Sequence, residues 1–401
     1  MNVAFMKHEL NLMLKSKKNL LFLLFLGIAL LIYCFILLPN SQTDSHFDRE
    51  QVEYTIGEKM AMQEDRERRG STGYIRYTMA PVYAVDQFYI DIHTKMLTAL
   101  EEGDYYRFLH LQTLYISTNQ ANFLLEDPRF FDSPFPIKDR KHAYYQTLLK
   151  HESLLASGKD VTPALIEEKT TFQALSNLLL GYLPFILLFT AIFFSSDVLI
   201  RDKHNKTIIQ GVPIPWYRLL NLKSAIAFFY TLIVLSLLFL FGALFISIQY
   251  GWGSLTLELP IMPLQQTFTL QDYDTMTIGT FLLTTMSFIP ICVFLLIRLN
   301  VCLNLLVKNQ WVVLVISSLL LFSEHFYFNR TTRELFGYEV SFFPQTYFDF
   351  GKVITGEKSF LINLETITYT RGIMVLLITI LIVEILLFFT AKYVNKRRFY
   401  K

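Results

Sequence analysis

The stretch Ser195–Lys223 reads SSDVLIRDKHNKTIIQGVPIPWYRLLNLK and decides how the chain folds. It is polar, whereas the segments on either side of it, Leu178–Phe194 and Ser224–Ile248, are almost entirely apolar. Apolar runs of this length are enough to cross the hydrocarbon core of a bilayer as helices. The stretch is therefore predicted to be a water-exposed link between two transmembrane spans.

The charges and prolines of this link predict its side of the membrane and its shape. Basic residues outnumber acidic ones, and such an excess in a short loop is typical of the cytoplasmic side. Gly211–Pro215 breaks a continuous helix, because proline lacks an N–H donor and restricts the residue before it. We expect a short helix over Val198–Gln210, an elbow at Gly211–Pro215 and a new helix from Trp216. The charged residues of the link are Arg201, Lys203, Lys206, Arg218 and Lys223 against Asp197 and Asp202.

The composition is not that of an ordinary soluble globule. Of the 401 residues, 53% are hydrophobic, and they are clustered in long runs. The net charge is only +2, so we expect no nucleic acid or other polyanion as a partner. Cysteine is sparse, and Cys34, Cys292 and Cys302 lie in or beside apolar runs, so no disulfide framework is predicted.

The apolar runs predict an all-α integral membrane protein with six transmembrane helices and both termini in the cytoplasm. The predicted spans are residues 19–38, 176–196, 222–248, 276–299, 310–326 and 371–391. Lys and Arg are concentrated in the short segments assigned to the inside: 1–18, 197–221, the turn flanked by Arg298 and Lys308, and the tail 392–401. The short loop Gln249–Thr275, assigned to the outside, contains neither. Abundant Lys, Asn, Ile and Phe favour a bacterial cell (plasma) membrane as the location.

Residues 1–18 are predicted to form an amphipathic helix on the inner membrane surface. Apolar side chains recur there at helical spacing, at Val3, Met6, Leu10, Met13 and Leu14. The alternative is a frayed basic tail that only fixes the orientation of the first span.

Two longer segments are predicted to lie outside. Residues 39–175 are expected to form a helical extracytoplasmic domain, whose many aromatic side chains either line a binding surface or, as we favour, pack in its core. Residues 327–370 are expected to form an outer loop, with short re-entrant helices at Val340–Phe343 and Tyr347–Phe350.

In its order of parts the chain resembles the membrane subunit of an ABC-2-type exporter, of the type V ABC fold. The shared parts are the amphipathic first helix, the outer insert after the first span, the helix-elbow link and the re-entrant segment. Residues 201–207, RDKHNKT, stand where the family often has an acidic stretch and Gly-Thr, although Lys206 replaces the glycine and His204 the second acidic residue. Pro213–Pro215 corresponds to the family's elbow and Lys223 to the lysine entering its third span, and Phe343–Phe348 with Gly356 resembles its re-entrant segment.

This resemblance implies a permease subunit that exports an amphipathic or hydrophobic substrate, such as a peptide, an antimicrobial, a lipid-like molecule or a drug. Two such subunits, identical or related, would form the path. Separate ATPase subunits would bind the cytoplasmic face and carry ATP and Mg²⁺, so no cofactor is expected in this chain. The residues expected to couple to the ATPase are Asp197, Arg201, Asp202, Lys203, Lys206, Thr207, Pro213, Pro215 and Arg218. The alternative for these charges is a solvated loop that only sets topology.

Glu384 is the single residue that most strongly indicates a function, because it lies inside the apolar run LLITILIVEILLFF of the sixth span. A charged residue at the centre of a span costs about 2.5–3.5 kcal/mol on insertion scales. Glu384 is therefore expected to face protein or water, or to be protonated. It is predicted either to contact substrate or lock a helix pair along the path, or to be a protonated carboxyl hydrogen-bonded to a neighbouring span.

No catalytic, metal or nucleotide site is predicted, and the chain is not expected to be an enzyme. The segment Gly351–Ser359, GKVITGEKS, nearly spells a phosphate-binding loop, but Glu357 interrupts it and the segment is assigned to the outside. The eight histidines are scattered, without a zinc-binding pattern. The alternative to transport is a membrane sensor or receptor whose outer domain binds a peptide and signals through the link.

Overall fold

The structure, a computed structural model, describes residues 2–43, 45–75, 79–118, 133–158, 160–201, 213–262, 273–327 and 329–400. The fold is predominantly helical, with two small β-ribbons that the all-α prediction missed. Its helices are α1 (Asn2–Lys15), α2 (Lys17–Ile32), α3 (Arg49–Arg69), α4 (Val82–Glu101), α5 (Tyr105–Thr118), α6 (Pro136–Ala156), α7 (Pro163–Ile166), α8 (Thr171–Leu180), α9 (Leu183–Ser195), α10 (Trp216–Tyr250), α11 (Ile278–Val307), α12 (Gln310–Leu321), α13 (Ser323–Tyr327), α14 (Phe350–Ile354), α15 (Glu357–Ile362), α16 (Tyr369–Tyr393) and α17 (Lys396–Tyr400).

Four helices of the described chain are long and apolar enough to cross a membrane: α2 with its π-helical continuation to Leu37, α10, α11 and α16. The bent pair formed by α7–α8 and α9 makes a fifth if it counts as one span. These helices are consistent with a multi-pass membrane protein. The six-span prediction additionally requires α12, which is apolar but shorter than the others.

Helix α11 lies at the centre of the bundle. Half of its most apolar 18-residue segment is buried, whereas only 17–28% of the corresponding segments of the other three long helices is buried. It packs against α9, α10, α12 and α16. The helix continues through Pro290 and past Leu299, the predicted end of the fourth span, to Val307. Arg298 therefore lies inside the helix, and its assignment to the flank of an inner turn is wrong.

The second predicted span, 176–196, is not one continuous helix. Helices α8 and α9 meet at Gly181 with a bend of 72°. Pro184 lies in the first turn of α9, where backbone N–H groups have no partner within the helix, so the missing proline N–H costs no hydrogen bond. Helix α14 packs onto the bend so closely that a Cβ atom on Gly351 would lie 2.0 Å from the Leu179 carbonyl oxygen. Only glycine fits there without a shift of the backbone.

The described residues of the insert 39–175 are predominantly helical, as predicted. Within it, two packed helices, α4 and α5, are separated at Gly103, which adopts a positive φ of 72°. Helices α3 to α6 pack in sequence, each against the next. Their core includes Ile92, Met96, Phe108 and Leu109 and continues into that of the spans, so the outer helices and the bundle share one apolar core.

Two antiparallel ribbons lie in the segments assigned to the outside. Strands β1 (Glu258–Ile261) and β2 (Asp274–Thr277) pair with Glu258 opposite Thr277, and β1 packs against α6. Strands β3 (Glu334–Leu335) and β4 (Tyr338–Glu339) form the second ribbon. The first predicted re-entrant stretch, Val340–Phe343, contains the 3₁₀ turn Val340–Phe342. A second 3₁₀ turn, Pro344–Tyr347, connects it to the second predicted stretch, and α14 and α15 follow.

Candidate functional site

Arg298 and Glu384 form an ion pair between α11 and α16. The Arg298 guanidinium donates from Nε to Glu384 Oε1 and from Nη2 to Oε2, the second bond at 2.6 Å. Its Nη1 donates to Ser224 Oγ on α10 at 2.9 Å. Both residues lie roughly 13 Å, at 1.5 Å per residue, from the ends of their helices at Val307 and Tyr393. Three candidate spans thus converge on one charge pair inside the apolar bundle.

The pair borders an open cavity of about 450 Å³ between α10, α11 and α16. The Glu384 side chain is 29% exposed, whereas that of Arg298 is 4% exposed. The wall of the cavity consists of Asn221, Ser224, Ala225, Phe228, Phe229, Phe294, Arg298 and Glu384. Glu384 therefore both joins two helices and faces a cavity, and its role in a path stays a prediction.

The elbow of the link leads directly to this pair. Pro213 and Pro215 are exposed and precede α10, which begins at Trp216 as expected. In the first turn of α10, Tyr217 donates its hydroxyl to Glu384 Oε2 at 3.3 Å. A displacement of the elbow would therefore act on the ion pair through a single helical turn.

Both ends of the chain pack against the elbow. Ile214 is buried with Phe5 of α1 and with Leu219. On the other side, Trp216 donates its indole N–H to the Val394 carbonyl oxygen at 2.9 Å. Its ring centroid lies 5.7 Å from that of Phe399 of α17, with the ring planes at an angle of 40°. The predicted tail 392–401 thus contains a short helix seated on the elbow.

A second group of paired charges lies where α1, α2, the end of α9 and α10 meet. Lys223 is fully buried and donates to Glu9 of α1 at 2.7 Å. Lys18 lies 3.1 Å from Asp197, which also accepts from Arg201 at 3.0 Å. Helix α1 exists as predicted, but its most buried residues are Phe5, Glu9 and Met13, while Leu14 is half exposed.

The predicted coupling residues fall into three groups. Asp197 and Arg201 are paired with each other within the chain, Asp197 being buried. Arg218 is exposed in the first turn of α10, beside the elbow prolines. Asp202, Lys203, Lys206 and Thr207 lie outside the described residues, as does most of the predicted helix Val198–Gln210.

The near-match to a phosphate-binding loop holds an ion cluster instead. Lys358, the lysine of that near-match, is buried and lies 2.8 Å from Glu324 and 3.7 Å from Asp349. Gly351 is packed against the Leu179 backbone and Gly356 against the Met262 backbone, so both glycines serve close packing of the backbone. Within the described part of the chain, no group of three or more His, Cys, Asp or Glu side chains is arranged to hold a metal ion.

The sequence points to Glu384 but not to its partner. Arg298 lies one residue before the predicted end of the fourth span and is assigned to the flank of an inner turn. The largely apolar stretch Val301–Val307, interrupted only by Asn304, is the signal that the helix continues and that Arg298 is internal. Two charges inside neighbouring spans are expected to pair. Nothing in the sequence indicated the contact from Tyr217.

Comparison with known proteins identifies no relative of the chain. The chain matches no family model, no curated protein and no solved structure.

Proposed function

We propose that this chain is the transmembrane permease subunit of an ATP-driven exporter of the ABC-2 type, resident in a bacterial plasma membrane. It would have six spans, with both termini and the elbow in the cytoplasm. The exported substrate is amphipathic or hydrophobic, and the energy comes from separate ATPase subunits that carry ATP and Mg²⁺. A second permease subunit, identical or related, completes the path.

The observation that carries the proposal is the connection from the elbow to the intramembrane cavity. The exposed Pro213 and Pro215 offer a stiff projection at the predicted cytoplasmic face. One turn further on, Tyr217 contacts Glu384, which faces the cavity. A motor that pushes the elbow would change the cavity by hinge or shear movement of α10 against α16.

The packing of both chain ends supports the same role. The elbow is held between α1, through Ile214 and Phe5, and α17, through Trp216 and Phe399. A loop that only sets topology needs no such support. A projection that transmits force does, because the force must move helices and not just the loop itself.

The test is purification of the tagged chain with its own operon products from the native membrane. We expect a soluble P-loop ATPase to co-purify and to hydrolyse ATP. The exposed Arg218 is the cleanest coupling variant, because Asp197 and Arg201 are also structural. Arg218→Glu should lower substrate export per ATP hydrolysed while leaving the amount of chain in the membrane unchanged.

The control is Lys15→Glu, which reverses an exposed charge at the same predicted face, at the end of α1 and ten residues along the chain from Phe5. It should leave coupling intact. Co-purification of a kinase or regulator in place of an ATPase would contradict the exporter and support the membrane sensor. Equal effects of the two substitutions would remove the elbow from the mechanism.

A further inference from the structure

The two charged side chains of the Arg298–Glu384 pair are unequally exposed to the cavity. Glu384 is 29% exposed there, whereas Arg298 is 4% exposed. Three of the five N–H donors of Arg298 are used, two by Glu384 and one by Ser224. A carboxylate offers about four lone-pair sites, so Glu384 keeps acceptor capacity after binding Arg298 and Tyr217. The charged group available to a ligand is therefore the carboxylate.

The rest of the wall suits an apolar cation. Phe228, Phe229 and Phe294 line the cavity, and the faces of aromatic rings carry partial negative charge that attracts cations. The Ser224 hydroxyl is occupied, since it donates to the Leu220 carbonyl oxygen and accepts from Arg298. Apart from Asn221, the remaining wall is apolar. A small inorganic cation would find few ligands there, and an anion would meet Glu384 before Arg298.

We propose that this cavity binds an amphipathic organic cation, with its positive group toward Glu384 and its apolar body against the three phenylalanines. Within the proposed export function, this assigns the class of substrate, and the inference rests on that function. Arg298 already pairs with Glu384, but its guanidinium is buried, so a ligand in the cavity meets the carboxylate side of the pair. An organic cation interacts favourably with that side and also fills the aromatic part of the cavity.

The experiment uses two probes of nearly equal size and shape but opposite charge, tetraphenylphosphonium and tetraphenylborate. Binding of each is measured to the purified full chain in phosphatidylcholine nanodiscs, without ATP or ATPase. We expect saturable binding of tetraphenylphosphonium that tetraphenylborate does not displace. Glu384→Gln, which keeps the size of the side chain and removes its charge, should weaken phosphonium binding by about tenfold or more. Glu365→Gln, at an exposed outer carboxylate, should leave it unchanged.

A second variant guards against misfolding of Glu384→Gln, in which Arg298 loses its charged partner. Phe229 is 57% exposed, so Phe229→Leu should fold normally and weaken phosphonium binding a few-fold through loss of a ring face. Equal affinity for both probes, or preference for the borate, would overturn the proposal. So would the absence of saturable binding, which would favour a helix of a second subunit as the occupant of the cavity.

The two proposals fail separately. Probe binding is measured on the chain alone, so it is unaffected by whether an ATPase co-purifies. A co-purifying ATPase with no preference for the cation would keep the exporter and remove the cationic substrate class.

Discussion

At the scale of residues, buried charges join segments that are far apart in the chain. Glu9 pairs with Lys223, and Arg298 pairs with Glu384. Removing one partner of such a pair costs about 3–5 kcal/mol, because the other charge stays buried without compensation. These pairs therefore fix which helices lie side by side, more than they add net stability.

The outer helices contain a buried histidine whose environment makes a residue-scale prediction. His151 is almost fully buried, and its imidazole lies 2.7 Å from Ser45 Oγ and 3.3 Å from Thr113 Oγ1. Burial lowers the pKa of His151 to about 4, against the opposing effect of Glu168, and Lys150 lowers it further. The folded protein therefore holds the neutral imidazole at a pH where the unfolded chain is already protonated.

The sign of the pH effect follows from this lowered pKa. The stability contributed by neutral His151 is complete above the unfolded pKa of 6.5 and is lost as the pH falls toward 4. The full loss amounts to roughly 3 kcal/mol, at about 1.4 kcal/mol for each pKa unit. We expect the melting temperature of the purified protein to drop between pH 7 and pH 5, and His151→Gln to reduce that drop. The same substitution at His110, an exposed histidine on α5, is the control and should leave the wild-type slope; an unchanged slope in His151→Gln would contradict the assignment.

At the scale of elements, the bend between α8 and α9 and the helix α14 depend on each other. Gly181 and Pro184 permit the bend, and Gly351 lets α14 approach it to backbone contact. The backbone polar groups freed at a break need partners inside protein when the segment lies in a membrane. The bent pair and the outer short helices are thus one packed unit.

Gly351→Ala tests this unit. The added methyl group would lie 2.0 Å from the Leu179 carbonyl oxygen and 3.2 Å from the Leu180 nitrogen, both backbone atoms that cannot rotate away. Overpacking of this kind typically costs about 1–3 kcal/mol, so thermal melting in detergent should shift downward. Gly27→Ala on α2, where a Cβ meets no atom within 4 Å, is the matched control and should change little. Equal melting curves for the two variants would rule out the close approach.

At the scale of the whole molecule, the proposed function requires the elbow and the outer helices to lie on opposite sides of the membrane. The long apolar helices separate the two regions, and their outward faces carry exposed Leu, Ile and Phe side chains such as Ile233, Leu381 and Phe389. Exposed apolar surface of this extent is typical of contact with lipid and not with water. The arrangement is directly testable by labelling.

The three native cysteines are buried, which makes the wild-type chain a suitable background for single added cysteines. On intact cells, a membrane-impermeant maleimide should label Tyr106→Cys, at an exposed site on α5. It should label Arg218→Cys, at the elbow, only after the membrane is permeabilised. Labelling of Arg218→Cys in intact cells would reverse the proposed orientation and remove the coupling role of the elbow.

Elements that depend on local pattern can be predicted from the amino-acid sequence alone. Apolar run length predicted the long helices, the proline pair predicted the start of α10 at Trp216, and one charged residue in an apolar run identified Glu384. These inferences work because helix formation and membrane partition depend on neighbours along the chain. The six-span count and the inner position of both termini stay predictions.

The contacts that each of these residues makes follow from how the helices pack in three dimensions. Arg298 reaches Glu384, and Tyr217 reaches the same carboxylate, across helices that are distant in the chain. The bend at Gly181 depends on α14 packing against it, and the face of α1 that is buried depends on Lys223. Contacts of this kind are set by how helices are arranged around α11, and hydrophobic periodicity carries no information about which charge meets which.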